Sequence, residues 1–212
     1  MDCGKTGGPL LNARCLGIVE LYGVSVKCHG AWHKRPTISI GHRCGSMRTA
    51  VALGSNVGDR FGNLRVARDA ILALPDVKQP ILSSAIYETE PVDCEPGAEK
   101  FLNAVMEFDY EGEPGSLLEQ IIRIEEELGR RSDHPKNISR TIDIDLLYCG
   151  ERKLEDARLQ LPHPRMHLRS FVLQPLADIR PELILPGQIK TVGELLLDLK
   201  ESANVVRFRH DW

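Results

Sequence analysis

The stretch SRTIDIDLLYCG, residues 139–150, alternates apolar and polar side chains and predicts a core β-strand with two carboxylates on one face. Successive side chains of a strand point to opposite faces, so Asp143 and Asp145 share one face while Ile142 and Ile144 share the other. The two aspartates lie roughly 7 Å apart, where like charges repel unless a cation or basic groups lie between them. A solvated strand face is the alternative for an isolated pair.

Length and composition indicate a globular protein that does not cross a membrane. The chain has 212 residues, enough for one domain with a sizeable core and an appendage. Apolar residues make up 42% of it, and no apolar run approaches the roughly 20 residues that a membrane helix needs. Four of the six cysteines fall in the first 46 residues, so a cytoplasmic, reduced protein is predicted.

Charge divides the chain unevenly. Residues 1–46 carry six basic and two acidic side chains, a net charge of +4, whereas residues 47–212 carry 21 basic and 28 acidic ones, a net charge of −7. Nucleic-acid binding rests on phosphate neutralisation, which a body of this charge does not provide, so no nucleic-acid partner is expected. An anionic substrate would therefore need a local basic cluster.

Residues 1–46 show no helical or strand periodicity. We predict an extension that is either disordered or the product of a mistaken upstream start, followed by one domain over residues 47–212. The basic excess also allows an organellar transit peptide, although the segment is not rich in serine. No zinc site is predicted there, because no paired-ligand spacing is found among Cys28, His29, His33, His42 and Cys44.

Strand and helix patterns alternate in the rest of the chain. We predict a strand over residues 49–53 that runs into the turn GSNVGDR, and an amphipathic helix over residues 64–74. The turn lacks the G-x-x-x-x-G-K-[ST] pattern, so a P-loop is not predicted. Two further strands are predicted over residues 77–87 and 101–110, with an irregular loop between them.

A second amphipathic helix follows, with Ser116 and Glu119 at the spacing of a capping box and Gly129 as the C-terminal cap. The aspartate strand completes a β-α-β-β-α-β order, which is typical of a ferredoxin-like α+β fold. Residues 161–179 are too rich in proline, histidine and arginine for a core element. A final amphipathic helix near residues 191–200 is predicted to complete the C-terminal additions.

Basic side chains precede the aspartate strand and return after it. They are Arg130, Arg131, Lys136 and Arg140 before it, and His163, Arg165, His167 and Arg169 after it. The planar fork of arginine suits phosphate, and carboxylates are hard oxygen ligands for Mg²⁺, so the combination would hold a metal-chelated triphosphate. A charged surface that promotes solubility is the alternative for the arginines when each is taken alone.

The chain closely resembles the 6-hydroxymethyl-7,8-dihydropterin pyrophosphokinases of folate biosynthesis in six segments that occur in the same order: ALGSNVGDR, YETEPV, FLNAV, RIEEELGR, RTIDIDLLYCG and LPHPRMHLRSFVLQPL. The resemblance covers residues 48–185. It implies a ferredoxin-like enzyme that transfers diphosphate from ATP to the hydroxymethyl group of the pterin and releases AMP. Two Mg²⁺ ions are expected as cofactors, and a monomer is the expected state.

The resemblance also implies roles for individual residues. The metal ligands would be Asp143 and Asp145. The nucleotide would be bound by Glu125, Arg130, Lys136, Arg140, Ile144, His163 and Arg169. Four of these would act on the triphosphate as catalytic residues: Arg130, Arg140, His163 and Arg169. The pterin would be bound by Thr89, Glu90, Pro91, Val92, Phe101, Asn103 and Phe171, and a flat heterocycle does favour aromatic faces with a few polar groups at its edge.

The chain departs from the family just ahead of the aspartate strand. The family often has Gly-Pro where this chain has Ile138 and Ser139, an aromatic residue where it has Asn137, and a second loop arginine where it has Ser132. These positions precede the metal ligands and lie outside the pterin-binding set. We therefore expect an active enzyme with altered affinity for ATP.

Two other functions are compatible with parts of this pattern. A Mg²⁺-dependent nucleotidyltransferase also uses a Gly-Ser turn and an Asp-x-Asp pair, although Ser55 and Asp143 are separated here by two helices and two strands. A non-catalytic ferredoxin-like module that binds a small ligand is the second alternative. Such a module would have no reason to combine paired aspartates with arginines from two loops.

Overall fold

The structure, a computed structural model, describes residues 45–92, 94–130, 139–199 and 205–212. Its strands are β1 (Met47–Ser55), β2 (Val77–Ser83), β3 (Ile86–Thr89), β4 (Phe101–Tyr110), β5 (Asp143–Cys149), β6 (Leu154–Glu155), β7 (Gln160–Leu161) and β8 (Val206–Arg209). Its α-helices are α1 (Arg60–Leu72), α2 (Pro114–Glu127), α3 (Ser170–Ile179) and α4 (Val192–Asp198), with a 3-10 turn at Met166–Leu168. Within these described ranges, no helix has the length and apolar character needed to cross a membrane.

Six strands form an antiparallel sheet in the order β5-β1-β4-β3-β8, and β2 also pairs with β4. The fifth strand returns beside the first, and the β2 and β3 segments flank the far side of β4. Together with α1 and α2 this is the ferredoxin-like arrangement, so the predicted fold class is confirmed. The small β6-β7 hairpin and the short β8 strand are elements that the sequence pattern did not predict.

The strand predicted over residues 77–87 is divided into β2 and β3 by a short irregular segment. Ser84 replaces the regular ladder there: its backbone N–H donates to the carbonyl of Val105 at 2.9 Å, and its hydroxyl oxygen accepts from the N–H of Val105 at 2.9 Å. The pairing register of β2 also shifts between Lys78 and Leu82, around Pro80, which has no N–H to donate. The structure therefore has two strands where the sequence pattern predicted one.

One face of the sheet is covered by α1 and α2. The buried residues of these helices recur at helical spacing: Leu64, Ala67 and Ile71 in α1, and Leu117, Ile121 and Ile124 in α2. The predicted capping box is wrong, because α2 begins at Pro114, which places Ser116 inside its first turn. Proline suits the first helical position, where its missing N–H has no partner to lose. Gly129 has φ of 94° and ends the helix as predicted.

The other face of the sheet carries α3 and α4. The expectation that residues 161–179 do not contribute to the core is wrong, because Val172, Leu173 and Leu176 of α3 are buried against the sheet. The basic residues of this segment precede the helix, and its apolar residues follow them. The final helix is confirmed as α4, which Thr191 caps by accepting from the N–H of Glu194 at 3.2 Å.

A buried carboxylate anchors the C-terminal end of α3 to the sheet. Glu107 of β4 is 1% exposed and accepts two hydrogen bonds from Arg180, one from Nε at 2.7 Å and one from Nη2 at 2.9 Å. Arg48 lies 2.5 Å from the same carboxylate, and the hydroxyl of Tyr148 donates to it at 2.9 Å. Side chains from β1, β5 and the end of α3 therefore converge on Glu107 of β4.

The first described strand begins at Met47, close to where the sequence pattern becomes regular. The predictions for residues 1–46 concern a segment of which residues 1–44 lie outside the described part of the chain. The division into an extension and a domain over residues 47–212 stays a prediction.

Candidate active site

A cleft of about 590 Å³ opens on the α3 face of the sheet, at one end of the central strands. Its floor is formed where β1, β4 and β5 lie side by side, because Gly54 pairs with both Asn103 and Asp143. Its walls come from the ends of β3 and α2, from the segment before β5 and from the segment around residues 163–172. Parts of the chain that are far apart in sequence therefore meet here.

The two aspartates of β5 face this cleft, and their partners are arginines. Asp143 accepts hydrogen bonds from Arg140 at 2.7 Å and from Arg130 at 3.0 Å, both at Oδ1. Asp145 lies 3.6 Å from Arg169. Burial and the neighbouring charge of Asp143 raise the pKa of the Asp145 carboxyl. The predicted cluster of acidic and basic side chains is thus assembled from three separate segments.

Glu125 links α2 to this cluster through hydrogen bonds to β5 and to Arg130. Its buried carboxylate accepts a hydrogen bond from the backbone N–H of Ile144 at 2.7 Å and another from Arg130. Burial raises the pKa of Glu125 to about 7, and the opposing effects of Arg130 and of the Ile144 N–H do not cancel the cost of desolvation. Glu125 therefore orients the guanidinium of Arg130, which also donates to Asp143.

His163 enters the cleft from the segment that follows the β6-β7 hairpin. Its backbone N–H donates to the carbonyl of Leu147 at 2.8 Å, and its Nδ1 accepts from the N–H of Arg165 at 3.3 Å. With Nδ1 used as an acceptor, the neutral ring carries its proton on Nε2. Burial lowers the pKa of His163, so the neutral form is favoured in the free protein.

The opposite half of the cleft is lined by aromatic and small polar side chains. Phe101 and Phe171 both line it, and the guanidinium of Arg169 lies 5.4 Å from the Phe171 ring centre. The side-chain amide of Asn103 donates to the hydroxyl of Thr89 at 2.7 Å, which leaves the amide oxygen turned towards Gly54. A Cβ atom at Gly54 would lie 3.2 Å from that oxygen, so the absence of a side chain keeps the floor open.

Most of the residues implied by the sequence come together in this cleft. On the pterin side Thr89, Glu90, Val92, Phe101, Asn103 and Phe171 line it, and on the charged side Glu125, Arg130, Arg140, Asp143, Asp145, His163 and Arg169 do. Pro91 does not line it, and the side chain of Ile144 is buried in the core with its N–H bonded to Glu125. Lys136, like Arg131, Ser132, Asn137 and Ile138, lies outside the described residues.

Sequence reasoning missed a buried residue beside the cleft, Asn56. Its side-chain Oδ1 accepts from the backbone N–H of Arg140 at 2.8 Å, and its backbone N–H donates to the carbonyl of Arg140 at 3.2 Å. Asn56 is fully buried and so fixes the backbone from which the Arg140 side chain extends. The signal was present in the segment ALGSNVGDR, where an asparagine follows an apolar strand at its turn.

The carboxylate pair provides the oxygen atoms that a divalent cation would use. Across the described ranges, no group of three or more histidine, cysteine or acidic residues could hold a metal ion. Asp143 and Asp145 are two hard oxygen donors on the same face of β5, with side chains 29% and 36% exposed. This set suits Mg²⁺ that takes its remaining ligands from water and phosphate, which is how proteins usually bind that ion.

The fold and the cleft define a ferredoxin-like α+β protein whose sheet end carries paired carboxylates, converging arginines and two aromatic rings. The family profile described as 7,8-dihydro-6-hydroxymethylpterin-pyrophosphokinase (HPPK) matches residues 50–181. That match spans more than half of the chain. The chain belongs to this family, and the resemblance found in the sequence is confirmed.

Named relatives agree with this assignment. A 2-amino-4-hydroxy-6-hydroxymethyldihydropteridine pyrophosphokinase of Methylorubrum extorquens is 39% identical over 155 residues, covering 73% of this chain and 95% of that protein. A protein of the same name from Bacillus subtilis is 43% identical over 129 residues, covering 61% of this chain and 75% of that protein.

Solved structures support the fold independently of close sequence similarity. A crystal structure described as Plasmodium falciparum HPPK-DHPS wild type with pterin and p-hydroxybenzoate matches with a TM-score of 0.56 and 16% identity. The match covers 72% of this chain and 43% of that chain, so this protein spans less than half the length of the Plasmodium one. At this identity the similarity concerns the fold alone.

Proposed function

We propose that this chain transfers diphosphate from ATP to the hydroxymethyl group of 6-hydroxymethyl-7,8-dihydropterin, giving the pterin diphosphate and AMP for folate synthesis. One observation carries the proposal. A single cleft combines Asp143 and Asp145, faced by arginines, with a second half lined by Phe101 and Phe171. A polyanion and a flat ring would therefore lie side by side, as the reaction requires.

The aromatic half would bind the pterin. Phe101 and Phe171 offer two ring faces for stacking, and Asn103 lies on the floor beside the end of β3. Because its amide nitrogen already donates to Thr89, its oxygen is the atom available to accept from an N–H at the pterin edge. Glu90 and Val92, where the loop leaves β3, complete this half of the cleft.

The charged half would bind the triphosphate. Arg130, Arg140 and Arg169 contact the aspartates in the free protein and would turn to phosphate oxygens when the nucleotide enters. Neutral His163 would donate from Nε2 to a phosphate oxygen. Lys136 is proposed as a further cation of this half from the family resemblance alone.

Asp143 and Asp145 would hold Mg²⁺, and two ions are proposed. When bound by these two carboxylates, Mg²⁺ would offset the negative charge that develops on the phosphates during transfer. The acidic pair and the surrounding cations keep opposite charges close together before the substrates arrive. Binding therefore exchanges one set of ion pairs for another, which costs less desolvation than filling an apolar cavity with charge.

Positioning and electrostatics are proposed to drive the reaction. Asp145 lies 3.6 Å from Arg169, the residue that precedes α3. It would be engaged by metal rather than act as a base. Burial of the cleft floor strengthens each charge interaction that the arginines make. The substrate hydroxyl needs alignment with the β-phosphate more than it needs a strong base.

The nucleotidyltransferase alternative is disfavoured by the position of Ser55. Strand pairing brings Ser55 close to Asp143 in space, but its side chain is fully buried and accepts from Asn63 at 3.2 Å on the helix-covered side. Ser55 therefore cannot place its hydroxyl beside the aspartates without a change in β1.

The product nucleotide tests the proposal. Purified protein supplied with ATP, Mg²⁺ and hydroxymethyldihydropterin should release AMP in a one-to-one ratio with pterin diphosphate. Transfer of a single phosphoryl group would give ADP instead, and release of inorganic diphosphate would indicate nucleotidyl transfer. Either of these outcomes, or no turnover at all, would contradict the proposed reaction.

The cytoplasmic location, the monomeric state and the lack of a nucleic-acid partner stay predictions from the sequence.

A further inference from the structure

The loop between β3 and β4 is hydrogen-bonded to the segment before β5, at residues 44 positions apart in the chain. Oε1 of Glu95 accepts two hydrogen bonds from Ser139, one from the backbone N–H at 2.8 Å and one from the hydroxyl at 2.5 Å. The loop leaves β3 just after Thr89, on the proposed pterin side, and Ser139 directly precedes Arg140. The contact thus joins segments that border opposite halves of the cleft.

Asn56 extends this contact to Arg140. Its side-chain amide donates to Oγ of Ser139 at 3.0 Å and to the carbonyl of Glu99 at 3.3 Å, while its Oδ1 accepts from the N–H of Arg140 at 2.8 Å. The Ser139 hydroxyl is therefore a donor to Glu95 and an acceptor from Asn56, a combination that fixes its rotamer. Removal of Glu95 would release one side of this arrangement.

We propose that Glu95 is a positioning residue that fixes the Arg140 segment through Ser139 and makes nucleotide affinity depend on the loop that borders the pterin half. Glu95 does not line the cleft, whereas Arg140 does and donates to Asp143 at 2.7 Å. The effect of Glu95 on the nucleotide is therefore indirect. The identity of the two ligands rests on the proposed function, but the hydrogen bonds do not.

The two donors of Ser139 also explain the electrostatics of Glu95. They stabilise the carboxylate and lower the pKa of Glu95. Oε1 accepts both bonds, whereas Oε2 is shielded from water and has no hydrogen-bond partner among the described residues. A glutamine at this position would keep an acceptor for Ser139, whereas an alanine would not.

The first experiment measures the free protein, so it does not depend on the proposed reaction. Hydrogen–deuterium exchange of the amides of Ser139 and Arg140 is compared in wild type, Glu95→Ala, Glu95→Gln and the matched control Glu99→Ala. Glu99 is in the same loop, and only its backbone carbonyl takes part in the contact. Exchange at both amides should rise about tenfold in Glu95→Ala and stay near the wild-type rate in the other two variants.

The second experiment measures the equilibrium dissociation constant of a non-hydrolysable ATP analogue with Mg²⁺. Glu95→Ala should weaken binding about tenfold, Glu95→Gln should restore most of the affinity, and Glu99→Ala should match wild type. Ser139→Ala should weaken binding, and adding it to Glu95→Ala should cost little more, because both remove the same contact. At saturating nucleotide and pterin, kcat should change less than the KM for ATP.

Equal exchange rates in Glu95→Ala and Glu99→Ala would overturn the positioning role, as would unchanged nucleotide affinity in Glu95→Ala. Fully additive losses in the double variant would show that Glu95 and Ser139 act separately. A wild-type protein that binds nucleotide but releases no AMP would contradict the proposed reaction while leaving the role of Glu95 to be judged by exchange and affinity.

Discussion

The carboxylate of Glu125 accepts a 2.7 Å hydrogen bond from the backbone N–H of Ile144, between the two aspartates of β5. Helix α2 is thereby fixed to the strand that carries the acidic pair, at a point below the cleft. The same carboxylate holds Arg130, which reaches Asp143. One buried acid thus sets the spacing between an arginine and the carboxylate that it contacts.

The raised pKa of Glu125, about 7, predicts a pH dependence of stability. The folded state binds this proton more tightly than the unfolded state, so the stabilising contribution is full below about pH 4.5 and is lost as pH rises towards 7. The free energy of unfolding of wild type should therefore fall relative to that of Glu125→Gln over this interval, by up to about 3 kcal/mol. Urea unfolding at pH 5, 6, 7 and 8 measures the difference.

The exposed Glu127, two residues further along α2, is the matched control. Glu127→Gln should give a stability curve that runs parallel to that of wild type. Parallel curves for Glu125→Gln as well would show that Arg130 offsets the burial of Glu125 and keeps it ionised throughout.

Removal of Asp145 should abolish transfer without unfolding the protein. The expected loss of AMP formation in Asp145→Ala is about a thousandfold, because a metal ligand stabilises the transferring phosphate by several kcal/mol. Stability should be unchanged or slightly higher, since Asp145 lies beside the like charge of Asp143 and its burial is unfavourable. Asp211→Ala, at an exposed position, is the control, and a rate retained at saturating Mg²⁺ would argue against the ligand role.

Substitution of Gly54 should weaken pterin binding selectively. A Cβ atom at residue 54 would lie 3.2 Å from Oδ1 of Asn103, so the Asn103 side chain would have to move by a few tenths of an ångström. The same atom would be in van der Waals contact with Phe101, at 3.8 Å. We expect Gly54→Ala to raise the KM for the pterin about tenfold and the KM for ATP about twofold or less. Gly115→Ala is the control, because its Cβ would meet nothing within 4 Å and helix propensity favours alanine. Equal effects on both KM values would place Gly54 outside the pterin half.

Loss of the Glu107 charge should destabilise the fold. Glu107→Gln leaves Arg48 and Arg180 facing a neutral amide at a site that is 1% exposed, and the expected cost is about 3 kcal/mol in the free energy of unfolding. Guanidinium unfolding measures it. Glu119→Gln should change stability by less than about 0.5 kcal/mol, because its side chain is 54% exposed and its ion pair with Arg158 is 3.9 Å long. A similar cost in both variants would mean that Glu107 contributes no more than a surface pair.

The periodicity of apolar residues along the chain was sufficient to predict the strand that carries the aspartates and the first two helices. Alternation in residues 143–149 predicted a strand with its acidic side chains on one face, and helical spacing predicted α1 and α2. The order of these elements was sufficient for the fold class, because few topologies accommodate β-α-β-β-α-β. The capping box failed because Pro114 began the helix two residues before the serine that has the favoured spacing.

Tertiary contacts account for what the sequence did not predict. Residues around α3 mix charged and apolar side chains, and no local pattern distinguishes a charge that faces a cleft from one that faces solvent. The Glu95–Ser139 contact is equally hidden, since neither residue type predicts a partner 44 positions away. Their positions in the sequence grouped the arginines around the aspartate strand but left a charged surface as the alternative, and the family resemblance supplied the long-range information that favoured a binding site.

Helix α3 separates two tasks between its ends. Arg169 and Phe171, at its start, line the cleft. Arg180, at its end about 15 Å away along the helix axis, is hydrogen-bonded to Glu107. The part of the helix that meets the substrates is therefore not the part that secures it to the sheet. Val172 and Leu173 of the first turn are core residues, so a library that seeks altered pterin selectivity should be confined to the cleft-lining positions Arg169 and Phe171.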